Sequence, residues 1–212
     1  MDRREFLKYL GTGLVATAIA PRKVLAGITD KSLEDKLFPL YKEVADNFRL
    51  EDEGVILVDG QNQRLYLVDG YNGFRINRGY DISTGTTGFG NESESGKTPT
   101  GVHRIKEKYG NGAPSGTIFR ARQNTGKIAK IYTEEFDSPE DLVTSRIMWL
   151  DGCEAQNRNS HSRYIYIHGT PEEGLIGKPA SHGCIRMRNR DVIELYNLVT
   201  SGTYVNIRER LK

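Results

Sequence analysis

The stretch "GVILVDGQNQRLYLVDG", residues 54–70, decides the fold class. It contains two short runs rich in Val, Leu and Tyr that a polar turn at residues 60–63 separates, a pattern typical of two adjacent strands. Residues 74–83 and 116–133 provide further strand candidates. Because no long helices alternate with these strands, a doubly wound parallel sheet is disfavoured. We expect a mainly β domain, a sandwich or barrel that is mostly antiparallel, with peripheral helices.

Two segments outside these strands show helical periodicity. Apolar side chains recur at helical spacing in residues 31–49, and Pro39 inside that run predicts a kink or two short helices. The same spacing in residues 189–199 predicts a second helix, for which Asn189 is the candidate N-cap. We expect the first helix to pack on the outside of the β domain, as part of a helical N-terminal extension over residues 27–53.

The segment "RYIYIHGT", residues 163–170, alternates side chains between two faces as a strand does. In that pattern Tyr164, Tyr166 and His168 share one face, and the two tyrosines are candidates for one wall of a cleft. Further candidates for lining the cleft are Tyr109, Arg120, Arg122 and Trp149. A final strand is predicted over residues 203–209.

Residues 1–26 have the layout of an export signal. A basic start is followed by a short apolar stretch and a small-residue end at Ala26, and the apolar stretch is too short to span a bilayer. The pair Arg3-Arg4 resembles the twin-arginine export consensus. We therefore expect cleavage after Ala26, no transmembrane anchor, and a location in the periplasm or cell envelope of a bacterium.

The net charge of the chain depends on that signal. The full sequence carries 30 Lys and Arg residues against 28 Asp and Glu residues, a net charge of +2. Without residues 1–26 the balance becomes 25 positive to 26 negative groups, a net charge of −1. A nearly neutral mature chain offers no electrostatic basis for binding nucleic acid or an anionic membrane surface.

The segment "PASHGCIRM", residues 179–187, contains Cys184, one of only two cysteines. A thiol with an ordinary pKa is mostly protonated at neutral pH, so a nucleophilic cysteine needs a base or a cation nearby. Of the four histidines, His168 is the best candidate base because it ends a neighbouring strand. His182 is too close along the chain to face the sulfur. Gly183 would allow a substrate to approach the backbone closely.

Two other interpretations of Cys184 stay open on the residues alone, since it could be a buried structural thiol or a zinc ligand. The candidate zinc ligands are Cys153, His161, His168, His182 and Cys184, although no Cys-x-x-Cys or His-x-x-x-His pair occurs. Residues 90–98, "GNESESGKT", lack the first glycine of a phosphate-binding loop, and Pro99 follows at once. Nucleotide binding is therefore not expected.

The motifs "YIHGT" (166–170) and "PASHGCIRM" (179–187) together resemble the signature of the L,D-transpeptidase (YkuD-type) catalytic domain. The upstream "STGTTGFGNESESGKTPTG" (83–101) is also similar to that family, and the resemblance covers residues 54–209. It implies a β-rich catalytic domain that acts on peptidoglycan in the cell envelope and requires neither a metal nor an organic cofactor.

The resemblance also implies roles for individual residues. Cys184 would be the nucleophile, His168 the general base, and Gly169 the residue whose carbonyl orients the histidine. The residues implied to shape the oxyanion site or to position substrate are Ser181, His182, Gly183 and Arg186. Cys153 would be a packing residue and Cys184 a free thiol, because a disulfide between them would abolish the nucleophile.

The implied reaction is acyl transfer from a tetrapeptide stem. Cys184 would attack the bond between the L-centre of meso-diaminopimelate and D-Ala, releasing D-Ala and forming a thioester that an amine, commonly of a second stem, resolves into a 3→3 cross-link. With water as the acceptor the chain would be an L,D-carboxypeptidase or hydrolase. The alternative of another class is a non-catalytic zinc-stabilised envelope protein. The expected partners are peptidoglycan stem peptides, with carbapenems as covalent inhibitors and the chain a monomer.

Overall fold

The computed structural model describes residues 30–50, 54–70 and 73–211. The expected export signal and its cleavage point after Ala26 lie outside these ranges. Within them, no helix combines the length and the apolar character that crossing a membrane requires.

The described part of the chain forms ten strands, two α-helices and one short 3₁₀ turn at Glu173–Leu175. The strands are β1 (Val55–Asp59), β2 (Arg64–Asp69), β3 (Arg75–Ser83), β4 (Gly101–Tyr109), β5 (Thr117–Arg120), β6 (Gln123–Ile128), β7 (Val143–Gly152), β8 (Tyr166–Gly169), β9 (Ile185–Met187) and β10 (Tyr204–Arg208). The helices are α1 (Lys31–Phe48) and α2 (Asn189–Leu198).

The strands form one sheet that closes on itself. Its order runs β4-β10-β1-β2-β3-β9-β8-β7, and β4 pairs back with β7, so these eight strands make a barrel. The β5–β6 hairpin extends from β7. The pairs β1–β10 and β8–β9 are parallel, and the other pairs are antiparallel. Closure removes the free strand edges of an open sheet. The mainly β fold with peripheral helices is confirmed.

Strand β1 shows how the barrel wall buries apolar side chains on both faces. All five of its residues are buried. Ile56 and Val58 join the cluster inside the barrel, whereas Val55 and Leu57 join an outer cluster that α1 covers with Leu37. Because side chains alternate along a strand, a continuous apolar run is what a doubly covered strand requires.

Helix α1 lies on the outside of the barrel, as expected, but it is a single helix. The alternative of two short helices is wrong, since one helix runs from Lys31 to Phe48 through Pro39. Pro39 is exposed. The carbonyl that loses its hydrogen bond to the missing N–H can therefore be solvated, while Leu37 and Val44 stay buried and hold both halves of the helix on the barrel.

The start of α2 also differs from the expectation. Arg188 holds the N-cap position but its side chain makes no capping hydrogen bond, and Asn189 is the first helical residue. The Asn189 amide is buried and donates to the Thr170 carbonyl and to Glu173, at 2.8 Å in each case. Glu173 also accepts the Asn189 backbone N–H at 2.8 Å. Thr170 and Glu173 therefore bind the Asn189 side chain. Glu173 also accepts an N–H at the start of the helix, as an N-cap side chain would.

The strand expected over residues 163–170 is shorter than the alternating pattern suggested, because β8 begins at Tyr166. Tyr164 has a left-handed backbone with φ of 57° and lies in the preceding turn. Strands β4 and β7 were not predicted from the sequence. A register shift between Ile105 and Glu107 interrupts the two-residue period of β4, and seven consecutive positions of β7 are buried whether polar or apolar.

Candidate active site

Cys184 is the residue that immediately precedes β9. Strand β9 pairs in parallel with β8, with Ile185 opposite Ile167, so Cys184 lies beside the start of β8. The Tyr166 N–H donates to the Cys184 sulfur at 3.4 Å, and the thiol donates to the Tyr164 carbonyl at 3.4 Å. The half-buried side chain packs against a cluster formed by Phe119, Ile147, Trp149 and Tyr166.

The surroundings of Cys184 favour the neutral thiol at rest. Burial raises the pKa of the Cys184 thiol to about 12, and the hydrogen bond from the Tyr166 N–H offsets this only in part. Hardly any thiolate is therefore present at neutral pH. Because the thiolate is the nucleophile, this cysteine can react only if its proton leaves as the bond to the substrate forms. The site therefore needs a base.

His168 has the properties of such a base. Its ring is 1% exposed, and Nδ1 lies 2.8 Å from the Gly169 carbonyl oxygen. A carbonyl can only accept, so Nδ1 carries the proton and Nε2 presents a lone pair. Burial lowers the pKa of His168 below its ordinary value, although Asp141 and the Gly169 carbonyl oppose the effect. The imidazole is therefore neutral at physiological pH and able to accept a proton.

His168 lies on β8, and Cys184 lies immediately before β9, the parallel neighbour of β8. His168 is opposite Arg186, two residues beyond Cys184. Among the described residues, however, the hydrogen-bond partners of the sulfur are Tyr164 and Tyr166, and the imidazole is not one of them. A direct Cys–His contact therefore requires the thiol to rotate away from the Tyr164 carbonyl.

The loop before Cys184 has a backbone that only glycine fits. Gly183 has φ of 116°, and a Cβ added there would lie 2.9 Å from the Lys97 carbonyl oxygen. The Gly183 N–H donates to the Ser181 hydroxyl at 3.1 Å, and that hydroxyl donates to the Cys184 carbonyl at 2.6 Å. Ser181 thus fixes the shape of the loop. The Gly183 N–H would have to leave Ser181 before it could bind an oxyanion.

Arg186 occupies a closed ion-pair network. Its side chain is 1% exposed, with one guanidinium nitrogen 2.6 Å from Glu172 and another 2.9 Å from Asp141. Glu172 also accepts from the N–H and the hydroxyl of Ser138. The resemblance implied that Arg186 positions substrate, but in this structure its guanidinium is enclosed and not open to direct contact. The arginine instead ties β9 to the segment between β6 and β7.

Asp141 is a site residue that was not predicted from the sequence. One of its oxygens is paired with Arg186, and the other lies 3.0 Å from Nδ1 of the exposed His182. Burial raises the pKa of Asp141, but His168, Arg186 and His182 outweigh it, and the pKa ends below its ordinary value. Asp141 is one of five acidic residues in residues 134–141, and nothing in that run distinguishes it from the others.

Aromatic side chains, including Tyr164 and Tyr166, pack together as a wall beside the thiol. The Trp149 ring stacks with Tyr164 and meets Tyr166 edge-on, with ring centres 5.6 Å apart in both cases. Tyr109 packs against the same cluster, and the Arg122 guanidinium lies over the Trp149 ring at 4.4 Å. Of the other cleft candidates, Arg120 is turned to an exposed ion pair with Glu140.

A cavity of about 490 Å³ adjoins this wall at Tyr164. Its lining includes Gly96, Arg163, Tyr164 and His182, so it shares Tyr164 with the aromatic wall and His182 with the Cys184 loop. The Arg163 guanidinium donates to the Lys97 carbonyl at 2.6 Å and holds residues 90–97 against the turn before β8. The cavity thus borders both the aromatic wall and the loop before Cys184, although Cys184 itself is not among its lining residues.

The candidate zinc ligands do not gather in the described residues, where no group of three or more His, Cys, Asp and Glu residues could hold a metal ion. His161 stacks on Trp149 with ring centres 3.8 Å apart. Cys153 packs against the outer cluster beneath α1, where burial raises its pKa to about 11. Both cysteines are free thiols, and Cys153 packs against apolar side chains.

Comparison with known proteins gives this arrangement a family. The model of the L,D-transpeptidase catalytic domain, YkuD, matches residues 53–207. YkuD of Bacillus subtilis (strain 168) is 58% identical to this chain over 41 residues, which is 19% of this chain and 25% of that protein. YcfS of Escherichia coli (strain K12) is 28% identical over 158 residues, which is 73% of this chain and 43% of that protein. Both names assign their proteins provisionally to the L,D-transpeptidases.

The chain thus spans 25% of the length of YkuD and 43% of the length of YcfS. Among solved structures, the L,D-transpeptidase from Xylanimonas cellulosilytica DSM 15894 is 19% identical, with a TM-score of 0.47. The match covers 80% of this chain and 70% of the other. Since the family model matches most of the sequence, including the Cys184 loop and His168, the chain belongs to the L,D-transpeptidase catalytic-domain family.

Proposed function

We propose that the chain is a cysteine acyltransferase that cross-links peptidoglycan stem peptides. The proposal rests above all on one arrangement, in which a neutral imidazole with a fixed tautomer lies on the strand next to Cys184. Family membership supports the reaction class. Cys184 as nucleophile, His168 as base and Gly169 as the orienting carbonyl are the roles that this geometry favours.

In the first half-reaction the Cys184 sulfur attacks the carbonyl carbon between the L-centre of meso-diaminopimelate and D-Ala. Substrate binding displaces the thiol from the Tyr164 carbonyl, and its proton passes to Nε2 of His168. Catalytic hydrogen bonds commonly tighten only in the substrate complex. The C–N bond then breaks, D-Ala takes the proton from the imidazolium as it leaves, and a thioester remains on Cys184.

In the second half-reaction an amine of another stem peptide attacks the thioester. His168 accepts the amine proton and returns it to the sulfur, so that a new amide and the free thiol are formed. Asp141 stabilises the imidazolium in both halves, because its carboxylate lies close enough to His168 for the two charges to interact. With diaminopimelate as both donor and acceptor residue, the product is a 3→3 cross-link.

Mass spectrometry of the products tests this function directly. The purified protein is incubated with disaccharide-tetrapeptide, and we expect a cross-linked dimer with release of D-Ala. A tripeptide without dimer would identify an L,D-carboxypeptidase instead. Cys184→Ala should abolish every product and also covalent labelling by a carbapenem. Cys153→Ala, the matched control at the packing thiol, should retain both. Full activity of Cys184→Ala would refute the proposal.

The proposed reaction places the enzyme in the cell envelope, where its substrate lies. We propose export through the signal at residues 1–26, by the twin-arginine route. Replacing Arg3 and Arg4 with lysine should leave the protein in the cytoplasm of the producing cell, as immunoblots of periplasmic and cytoplasmic fractions would show. Unchanged export of that variant would argue for another route.

A further inference from the structure

Arg122 is fixed against the aromatic wall beside Cys184. Its guanidinium lies 4.4 Å from the Trp149 ring centre and 5.6 Å from that of Tyr164. Nη1 also donates to the Tyr166 hydroxyl at 3.1 Å. Stacking on aromatic faces holds a guanidinium in one orientation and leaves its edge available for hydrogen bonds. The cation is therefore positioned before any ligand arrives.

Within the described residues no carboxylate pairs with Arg122, and its hydrogen-bond partner is the neutral Tyr166 hydroxyl. Arg120 and Arg186 differ in this respect. Arg120, two residues earlier, lies 2.8 Å from Glu140, and Arg186 has two carboxylate partners. A guanidinium has several N–H donors in a planar fork. Among the described residues, most of the N–H donors of Arg122 have no acceptor.

The backbone at Arg122 points to a role beyond folding. Ala121 and Arg122 form the two-residue turn between β5 and β6, with φ of 46° and 68°. Two left-handed residues in a hairpin turn strongly favour glycine or asparagine. An arginine in this conformation costs free energy, and such costs persist most often at functional sites.

We propose that Arg122 forms a carboxylate-binding subsite for the donor stem peptide. The inference rests on the proposed function and names a residue that sets its substrate specificity. Tyr166 connects the subsite to the thiol, since its hydroxyl accepts from Arg122 and its N–H donates to Cys184. A carboxylate on Arg122 therefore lies about one tyrosine side chain from the sulfur.

Two carboxylates of the stem peptide lie within about one tyrosine side-chain length of the scissile bond. One is the C-terminal carboxylate of D-Ala, and the other is the free carboxylate at the D-centre of diaminopimelate. Both match the planar fork of a guanidinium, which binds carboxylates through paired hydrogen bonds. Amidation removes the charge of either group and changes its size little, so amidated substrates distinguish the two.

The test compares three tetrapeptide substrates: the native acid, the D-Ala C-terminal amide, and the diaminopimelate amide. Rates of D-Ala or D-Ala-amide release are measured for the wild type, Arg122→Gln and the matched control Arg120→Gln. We expect Arg122→Gln to lower kcat/KM for the native acid at least about tenfold, the range of a charge-assisted hydrogen bond. Arg120→Gln should stay within about twofold of the wild type.

The amide that the wild type turns over poorly, and that Arg122→Gln no longer distinguishes from the acid, identifies the carboxylate bound. If Arg122→Gln slows all three substrates equally, or none, the subsite is refuted and Arg122 only packs. Arg122→Gly provides the folding control, because glycine suits the turn and should not lower the melting temperature.

A binding measurement separates failure of the subsite from failure of the proposed function. Calorimetry measures the affinity of the native tetrapeptide for Cys184→Ala and for Cys184→Ala/Arg122→Gln. The proposal predicts binding that is at least about tenfold weaker in the double variant. Absence of turnover in the wild type would refute the function alone. Equal affinity of the two variants would refute the subsite whatever the activity.

Discussion

Glu172→Gln tests whether the buried ion-pair network holds the site together. Glu172 and Arg186 are both 1% exposed and lie 2.6 Å apart. The substitution keeps the shape of the side chain and its hydrogen-bonding capacity toward Ser138 but removes the charge. Among the described residues, Arg186 then keeps Asp141 as its one charged partner. An uncompensated buried charge is among the most destabilising results of a single substitution.

Breaking a buried pair by removing one partner costs about 3–5 kcal/mol. We expect about 3 kcal/mol here, the lower end, because Asp141 still neutralises part of the arginine charge. For a chain of this size that is a fall in melting temperature of about 6–12 °C. Urea unfolding followed by circular dichroism at pH 7 gives the free energy, and a thermal scan of the same samples gives the melting temperature.

The matched control is Glu135→Gln, which removes a carboxylate from the exposed ion pair with Lys178. Exposed pairs contribute little, so its free energy of unfolding should change by less than about 1 kcal/mol. If Glu172→Gln also changes stability by less than about 1 kcal/mol, the buried network does not hold β9 to the segment before β7. The explanation given for the burial of Arg186 would then be wrong.

Three further predictions concern the loop, the pH dependence of stability and the thiols. Gly183→Ala should abolish D-Ala release and destabilise the fold by about 2 kcal/mol, whereas Gly177→Ala, with a positive φ but open space around it, should cost about 1 kcal/mol. Burial lowers the pKa of His103 to about 4, so the free energy of unfolding should fall as the pH drops from about 6.5 to about 4. Urea titrations at pH 7 and pH 4 measure that fall, and His103→Gln should make it smaller by about 3 kcal/mol. In the folded protein both thiols should react slowly with iodoacetamide at pH 7, because burial raises the pKa of Cys153 to about 11 and of Cys184 to about 12. Rapid alkylation of Cys184 followed by mass spectrometry would show a thiolate that the structure does not support.

The sequence alone was enough to predict the strands and helices whose pattern lies within a few neighbouring residues. The β1–β2 meander could be recognised because its apolar runs flank a polar turn, and α2 because its buried stripe has helical spacing. Cys184 and His168 were identified from two short motifs. Both motifs lie at strand ends, and the parallel pairing of β8 with β9 makes them neighbours.

Only the tertiary structure decided which distant side chains meet. Asp141 joins the site because the segment before β7 lies beside His182 and Arg186. These two residues are at least 41 positions further along the chain. Asn189 resembles a helix cap in sequence, yet partners from β7 and from the turn after β8 bind its amide. The free energies of these tertiary contacts depend on which distant residues the rest of the chain brings together. Composition and periodicity do not contain that information.

The orientation of the thiol is decided in the same way. The sequence supplies a cysteine near a histidine strand, but the resting sulfur faces the Tyr164 carbonyl because a left-handed turn at Tyr164 places that carbonyl beside it. Arg122 looked like one of several basic residues that could line the cleft. Its stacking on Trp149 and the lack of an acidic partner in the described residues arise only when the β5–β6 hairpin pairs with β7.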